Sequence, residues 1–176
     1  MTAAFAEDPA WAFIGDNEYE RLAPHFAGAL FDTRVASENI WLSDDIAAVA
    51  MWDSPVNRAL APDNADAVWA EYRAVAGEHA FARLTSYHEA VGAAVPDEAH
   101  WYLGVLATHP HRRREGLASA VLSPILDEAD RLGLPCCLET STQQNRRFYE
   151  RRGFTQATEI LLRGGPPTWW LRRPPS

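Results

Sequence analysis

The apolar positions of this chain change repeatedly between helical and extended spacing. In residues 18–35 apolar side chains recur three and four positions apart, which predicts a helix with one buried face. Residues 39–43 and 46–53 show the two-residue spacing of strands, and Asp44-Asp45 between them predicts a hairpin turn. Residues 63–91 predict one or two helices that begin after Pro62, with Asp63 or Asn64 as the N-cap.

The second half of the chain alternates strands with helices. The pattern predicts helices at 116–132 and 142–152 and strands at 101–108, 136–140, 156–163 and 168–172. A helix of about 17 residues joins the strands 101–108 and 136–140, so these two strands should lie parallel. With no repeat, linker or low-complexity tract, residues 1–176 are expected to form a single α/β domain.

Composition is that of an ordinary globular domain, and the charge is unevenly distributed. Residues 1–110 carry 5 arginines and 17 acidic residues, a net charge of −12, whereas residues 111–176 carry +4. The acidic part suits a cationic amine and the basic part an anionic cofactor, although a merely solvated surface explains most individual charges equally well. The net charge of −8 argues against nucleic acid as a partner. We expect no membrane segment and a cytoplasmic location, because there is no long apolar run and only two adjacent cysteines, Cys136 and Cys137.

Two motifs lie at a fixed separation in the second half. In the first, the predicted strand is followed by a turn and by residues 113–118, which open a helix, and backbone amides at a helix N-terminus bind phosphate. The second motif places Asn145 and Tyr149 on one face of a short helix that stops at Gly153-Phe154. Together they indicate an acyl-CoA site with a proton donor.

These motifs resemble those of the GNAT superfamily of acetyl-CoA dependent N-acyltransferases. Its phosphate loop, Q/R-x-x-G-x-G/A, is matched by Arg113, Gly116 and Ala118, and the Asn-x-x-x-Tyr-x-x-x-Gly-Phe run makes the resemblance specific. The chain is most similar to the puromycin N-acetyltransferase-like branch, through segments 4–9, 41–45, 48–52, 138–141, 148–151 and 167–169. The resemblance implies a GNAT fold: a mixed, mainly antiparallel sheet with splayed parallel strands, flanked by helices. We expect the first strand of that family to be missing here, which would leave the hairpin 39–53 with an exposed edge that a second copy of the chain could cover as a homodimer.

The resemblance also implies how acetyl-CoA would bind. Backbone groups of Leu106, Ala107 and Thr108 would pair with the pantetheine arm, and Asn145 would bond its amides, with helix capping as the alternative role. The pyrophosphate would be bound by the loop, through Arg113 and through backbone N–H groups of Arg114, Gly116, Leu117, Ala118 and Ser119. No metal is expected. A solvated basic turn is the alternative for this loop, and Glu115 departs from the family by placing a carboxylate near the phosphate.

Tyr149 holds the family position of the general acid, which would protonate the departing CoA thiolate. Its alternative role is packing between helix and sheet. Many relatives carry a glutamate on the strand 101–108, where this chain has Tyr102. Glu139 is therefore the nearest candidate for the base, and a scaffold role in holding the splayed strands is the alternative.

The predicted function is N-acetylation of a primary amine of a small molecule, with the acceptor pocket formed by the N-terminal helices and residues 63–91. Two alternatives stay open: a catalytically inactive acyl-CoA binding sensor or partner module, and an N-acetyltransferase that acts on protein amines.

Overall fold

A computed structural model describes residues 1–55 and 64–176 of the chain. The strands are β1 (Ile40–Leu42), β2 (Ala48–Asp53), β3 (Trp101–Thr108), β4 (Cys136–Thr140), β5 (Gln156–Ile160) and β6 (Thr168–Arg173). They form one sheet in the order β1-β2-β3-β4-β6-β5. Neighbours are antiparallel except β3 and β4, which are parallel. The predicted mixed, mainly antiparallel sheet is confirmed.

Helices cover both faces of this sheet. The helices are α1 (Thr2–Phe5), α2 (Pro9–Gly15), α3 (Tyr19–Asp32), α4 (Ala65–Gly92), α5 (Leu117–Leu132) and α6 (Gln143–Glu150). Helices α2 to α4 pack on the face that carries Met51, Val105 and Trp170. On the other face, α5 packs against Trp52 and Leu138. Two separate apolar cores result, one on each side of the sheet.

Helix boundaries follow local signals where the chain supplies them. Gly116 and Gly133 adopt left-handed conformations at the two ends of α5, as expected of residues without a Cβ. Helix α4 bends at Gly77, whose φ of 77° is not helical, so the prediction of one or two helices describes one kinked element. Asn64 precedes α4, but its amide donates to the Asp32 carbonyl (3.0 Å) and does not cap the helix. Pro62 and Asp63 lie outside the described residues.

Strand β3 contains a β-bulge that separates it from β4. Met51 pairs with Val105 and Trp52 with Leu103, so Gly104 is an extra residue without a partner in β2. Such a bulge bends and twists its strand. Pairing between β3 and β4 consists of Trp101–Cys136 and Tyr102–Cys137 and ends just before the bulge. The two parallel strands therefore diverge from residue 103 onwards, as predicted.

The hairpin β1–β2 forms one edge of the sheet. In the described part of the chain no strand precedes Ile40, and β1 pairs with β2 alone. Leu42 and Trp41 at this edge are 52% and 39% exposed. Coverage of the edge by a second copy of the chain stays a prediction.

Candidate active site

A cavity of about 620 Å³ begins in the gap between β3 and β4 and extends beneath the N-terminal helices. Its sheet side is formed by Tyr102 to Leu106 on one strand and by residues 139–141 at the end of the other. Asn145 and Tyr149 of α6 close one end. The far wall is largely aromatic and comes from elements distant in sequence: Phe5, Trp11, Phe26 and Trp69. Of the predicted site residues, the cavity brings together Leu106, Glu139, Asn145 and Tyr149.

Tyr149 reaches this cavity from the buried face of α6. Its ring meets Phe148 and Phe154 edge-on, with centroids 5.2 and 5.6 Å away. No hydrogen bond of its hydroxyl to another described residue is recorded. Burial raises the pKa of Tyr149, and the negative charges of Glu139 and Asp8 raise it further. The hydroxyl therefore stays protonated at neutral pH, and its ring packs as the alternative role requires.

Glu139 lies near the end of β4 and is bound to a side chain of β3. The hydroxyl of Tyr102 donates a 2.6 Å hydrogen bond to Oε2 of Glu139. The ring of Tyr102 stacks on Trp170, which pairs with Glu139 across β4 and β6. Burial and the charge of Glu139 raise the pKa of Tyr102 well above its ordinary value, so this tyrosine remains a donor. Tyr102, which stands where many relatives carry a glutamate, thus binds the carboxylate of Glu139 on the neighbouring strand.

Asn145 is exposed at the mouth of the cavity, one turn before Tyr149. The cap of α6 is Thr142, whose hydroxyl accepts the backbone N–H of Asn145 at 3.1 Å. Helix capping is therefore not the role of the Asn145 side chain. Because Asn145 lines the cavity, its side-chain amide is available for hydrogen bonds to a ligand in the gap between β3 and β4.

The loop predicted to bind pyrophosphate lies beyond the cavity, in line with the end of β3. Arg114 and Gly116 both have positive φ, 69° and 85°, and a Cβ on Gly116 would meet no atom within 4 Å. No backbone partner is recorded among the described residues for the N–H groups of Leu117 and Ala118. Ser119 differs, since its N–H donates to the Gly116 carbonyl (2.9 Å) and its hydroxyl binds Arg152. Arg113 donates to the Ala4 carbonyl (3.1 Å) and so joins the loop to α1.

Glu115 points along the surface to an arginine. Nε of Arg112 donates to Glu115 at 2.8 Å, and Nη1 of the same guanidinium binds Asp45 in the hairpin turn. The carboxylate that departs from the family pattern is thus neutralised within its own loop. Neither Ala107, which packs in the apolar core, nor Thr108 lines the cavity.

An ion pair that the sequence did not indicate lies over the bulge. Nη2 of Arg34 binds Asp53 at 2.8 Å, its Nη1 donates to the Leu30 carbonyl at 3.2 Å, and both charged residues line the cavity. The guanidinium rests on Gly104, where a Cβ would come within 2.6 Å of Nη2. Nothing local in the sequence links positions 34, 53 and 104, because their contact exists only across three elements.

Three further polar residues line the cavity, and of these the sequence did not single out His88 and Asp8. Burial raises the pKa of Tyr87 well above its ordinary value, opposed by the hydroxyls of Ser141 and Thr168. Burial lowers the pKa of His88 to about 4, so this imidazole is neutral at pH 7. Asp8 caps α2 and also borders the cavity. The sequence signal for Asp8 was its position before Pro9, which indicates a helix start but not a cavity.

Within residues 1–55 and 64–176 the side chains form no group of three or more potential metal ligands. No helix in these ranges combines the length and apolar character needed to cross a bilayer.

The opened mixed sheet, with a helix beginning at Gly116 after its first parallel strand, defines an acyltransferase-type α/β fold. Comparison with known proteins agrees. The sequence profile of the acetyltransferase (GNAT) family matches residues 43–154, and the chain belongs to that family. A curated relative, an uncharacterised N-acetyltransferase of Schizosaccharomyces pombe, is 33% identical over 66 residues. That match covers 38% of this chain and 27% of the relative's length.

Solved structures show the same fold at low sequence identity. Arylalkylamine N-acetyltransferase 2 of Aedes aegypti has a TM-score of 0.63 at 12% identity, over 98% of this chain and 89% of that one. An N-acetyltransferase of Staphylococcus aureus gives 0.57 at 14% identity, over 97% and 94%. A Corynebacterium glutamicum protein described as a histone acetyltransferase and related acetyltransferase gives 0.56 at 21% identity, over 99% and 91%.

Proposed function

We propose that this protein is an N-acetyltransferase that transfers the acetyl group of acetyl-CoA to a primary amine of a small molecule. The observation that carries the proposal is the cavity itself, in which Tyr149 and Glu139 face one space at the point where β3 and β4 part. A cavity of about 620 Å³ matches the size of small-molecule sites. The resemblance to the puromycin N-acetyltransferase-like branch supports an amine of this kind, in the cytoplasm.

The free edge of β3 and the loop at the start of α5 suit the binding of acetyl-CoA. Beyond Tyr102 the edge of β3 has no partner in β4, so its backbone groups are available for pairing with the pantetheine arm. The open face of Gly116 and the N–H groups of Leu117 and Ala118 suit a pyrophosphate at the start of α5. When bound, the cofactor supplies an acetyl group activated as a thioester.

Tyr149 would serve as the proton donor. A phenol with a raised pKa is fully protonated at working pH and can donate to a thiolate as negative charge develops on the sulfur. The neighbouring negative charges of Glu139 and Asp8 oppose loss of this proton in the resting protein. Proton donation to the leaving group and aromatic packing are compatible roles for this side chain.

Glu139 would accept a proton from the amine, directly or through water. The hydrogen bond from Tyr102 fixes its orientation and at the same time links the two splayed strands. The scaffold role considered for Glu139 therefore has support as well, and the two roles need separate measurements.

The deciding experiment is CoA release from acetyl-CoA with a panel of primary amines, for the wild type and Tyr149→Phe. This change removes one hydroxyl from a packed ring, so kcat should fall by roughly 10²-fold while the KM for acetyl-CoA and the Tm stay nearly unchanged. Tyr19→Phe is the matched control, because its hydroxyl binds the Thr2 carbonyl (2.9 Å) outside the cavity. Full activity of Tyr149→Phe would refute the acid assignment.

Glu139→Gln distinguishes a role of Glu139 as general base from a role in holding β3 and β4 together. A base role predicts a loss of kcat that partly recovers at higher pH, where more amine is unprotonated. A scaffold role predicts a lower Tm with a pH profile like that of the wild type. If the wild type releases CoA with none of the amines yet binds acetyl-CoA, the inactive binding module is the better description.

A further inference from the structure

The cavity carries more negative than positive charge. Among the residues that the structure describes, its wall contains the carboxylates of Asp8, Asp53 and Glu139 and one guanidinium, that of Arg34. Arg34 is paired with Asp53, and His88 contributes no charge at pH 7. Among the described residues that line the cavity, Asp8 is therefore a carboxylate that no cationic side chain pairs with.

The carboxylate of Asp8 is hydrogen-bonded through one of its two oxygens. Both recorded hydrogen bonds to the carboxylate, from the N–H groups of Ala10 (2.9 Å) and Trp11 (3.1 Å), go to Oδ1. No described residue is recorded as a donor to Oδ2. The two hydrogen bonds that cap α2 therefore use only Oδ1, and the side chain borders the cavity.

Asp8 lines the same cavity as Tyr149 and Tyr87 and acts on both electrostatically. The negative charge of Asp8 raises the pKa of both Tyr149 and Tyr87, and Glu139 acts on the same two hydroxyls. Burial raises the pKa of Asp8 itself, against the two backbone N–H bonds. A carboxylate in such surroundings gains from a cation more than an exposed one does.

The surface beside Asp8 is apolar and aromatic. Phe5 stacks on Trp11 with ring centroids 4.4 Å apart, and Trp11 meets Phe26 edge-on at 4.8 Å. These rings line the same cavity. A carboxylate next to an aromatic wall fits a ligand that has a cationic group on an apolar body.

We infer that Asp8 is the specificity-determining residue for the acceptor: Oδ2 binds the ammonium group of a cationic amine whose apolar body lies against Phe5 and Trp11. This inference rests on the proposed function and names its substrate class. The enzyme selects amines that are protonated at working pH, and Glu139 or water then removes the proton needed for attack.

Asp8→Asn tests the subsite, because asparagine caps a helix as well as aspartate does and the change removes only the charge. The probes are 2-phenylethylamine and its neutral isostere 2-phenylethanol, titrated by calorimetry into protein saturated with CoA. We expect the wild type to prefer the amine by 10-fold or more, and Asp8→Asn to lose that preference while binding the alcohol as before. Glu7→Gln, at an exposed neighbour outside the cavity wall, should behave as the wild type.

Three outcomes separate the claims. Loss of the preference for the amine in Asp8→Asn with an unchanged Tm supports the subsite. An equal preference in Asp8→Asn and the wild type, or none in the wild type, overturns it even if amines are acetylated. If Asp8→Asn lowers the Tm by several degrees, Asp8→Ser is used instead, because serine also caps helices. The criterion is again the ratio of the affinities for 2-phenylethylamine and 2-phenylethanol. Failure of the proposed function is seen separately, as absence of CoA release by the wild type with every amine.

Discussion

Gly104→Ala is expected to destabilise the protein through one identifiable contact. The added methyl group would lie 2.6 Å from Nη2, 2.9 Å from Cζ and 3.1 Å from Nε of Arg34. The φ of Gly104 is outside the left-handed region, so alanine meets no backbone strain there. The effect of the substitution should therefore come from the guanidinium that must move.

The expected size follows from what holds that guanidinium. Arg34 is bound to Asp53 and to the Leu30 carbonyl, and the side chains of the ion pair are only 12% and 24% exposed. Moving Arg34 leaves a largely buried carboxylate without its partner, which costs about 1–3 kcal/mol. Alanine returns about 0.5 kcal/mol relative to glycine in a strand. We expect a loss of about 1–2 kcal/mol in the free energy of unfolding.

Urea denaturation of a double-mutant cycle measures this contact. In an Arg34→Ala background the added methyl group meets no guanidinium, so Gly104→Ala should change stability by less than about 0.5 kcal/mol. Gly28→Ala is the control, since a Cβ there has no neighbour within 4 Å and alanine should stabilise α3 by up to about 1 kcal/mol. An equal loss from Gly104→Ala with and without Arg34 would show that the reasoning is wrong.

Three further predictions concern the cofactor loop and stability. Gly116→Val should abolish the stabilisation by acetyl-CoA, about 2.7 kcal/mol at a hundred times its Kd, whereas Gly133→Val, with a positive φ at the other end of α5, should keep it. In thermal unfolding, Thr142→Ala should lower the stability by about 1 kcal/mol because the cap of α6 is lost; an unchanged Tm would contradict this. Hydrogen bonds from Arg173 lower the pKa of Asp130 from 3.8 to about 2. The pair therefore stabilises fully above about pH 4 and its contribution is lost as the pH falls towards 2. Asp130→Asn should be less stable than the wild type at pH 7 and should approach the wild type as the pH falls below 2, and a constant difference across that range would count against the pair.

Local sequence signals determined most of the secondary structure. Strands β3 and β4 have the predicted bounds, because proline or glycine punctuates both and their apolar pattern is continuous. Asn145 and Tyr149 share a helix face by spacing alone, which is a property of any α-helix. Strand β5 is the counterexample. The pattern predicts a strand to residue 163, yet β5 ends at Ile160, because Ile160 pairs with Thr168, the first residue of its partner β6. The length of a strand depends on its neighbour as well as on its own residues.

The chemistry of the cavity was decided only by the tertiary structure. The bulge at Gly104 is a mismatch of register between two strands, so no single segment encodes it. The bond between Tyr102 and Glu139 spans 37 positions, and it exists because the strands that carry these residues run parallel and then part. Asp8 caps α2, and only the packing of α2 against α3 and α4 brings it into the cavity wall. By itself the sequence determined which residues are helical, extended or chemically capable, since these depend on neighbours along the chain. Which of them share one space depends on register and packing between distant segments, and only the folded chain has either.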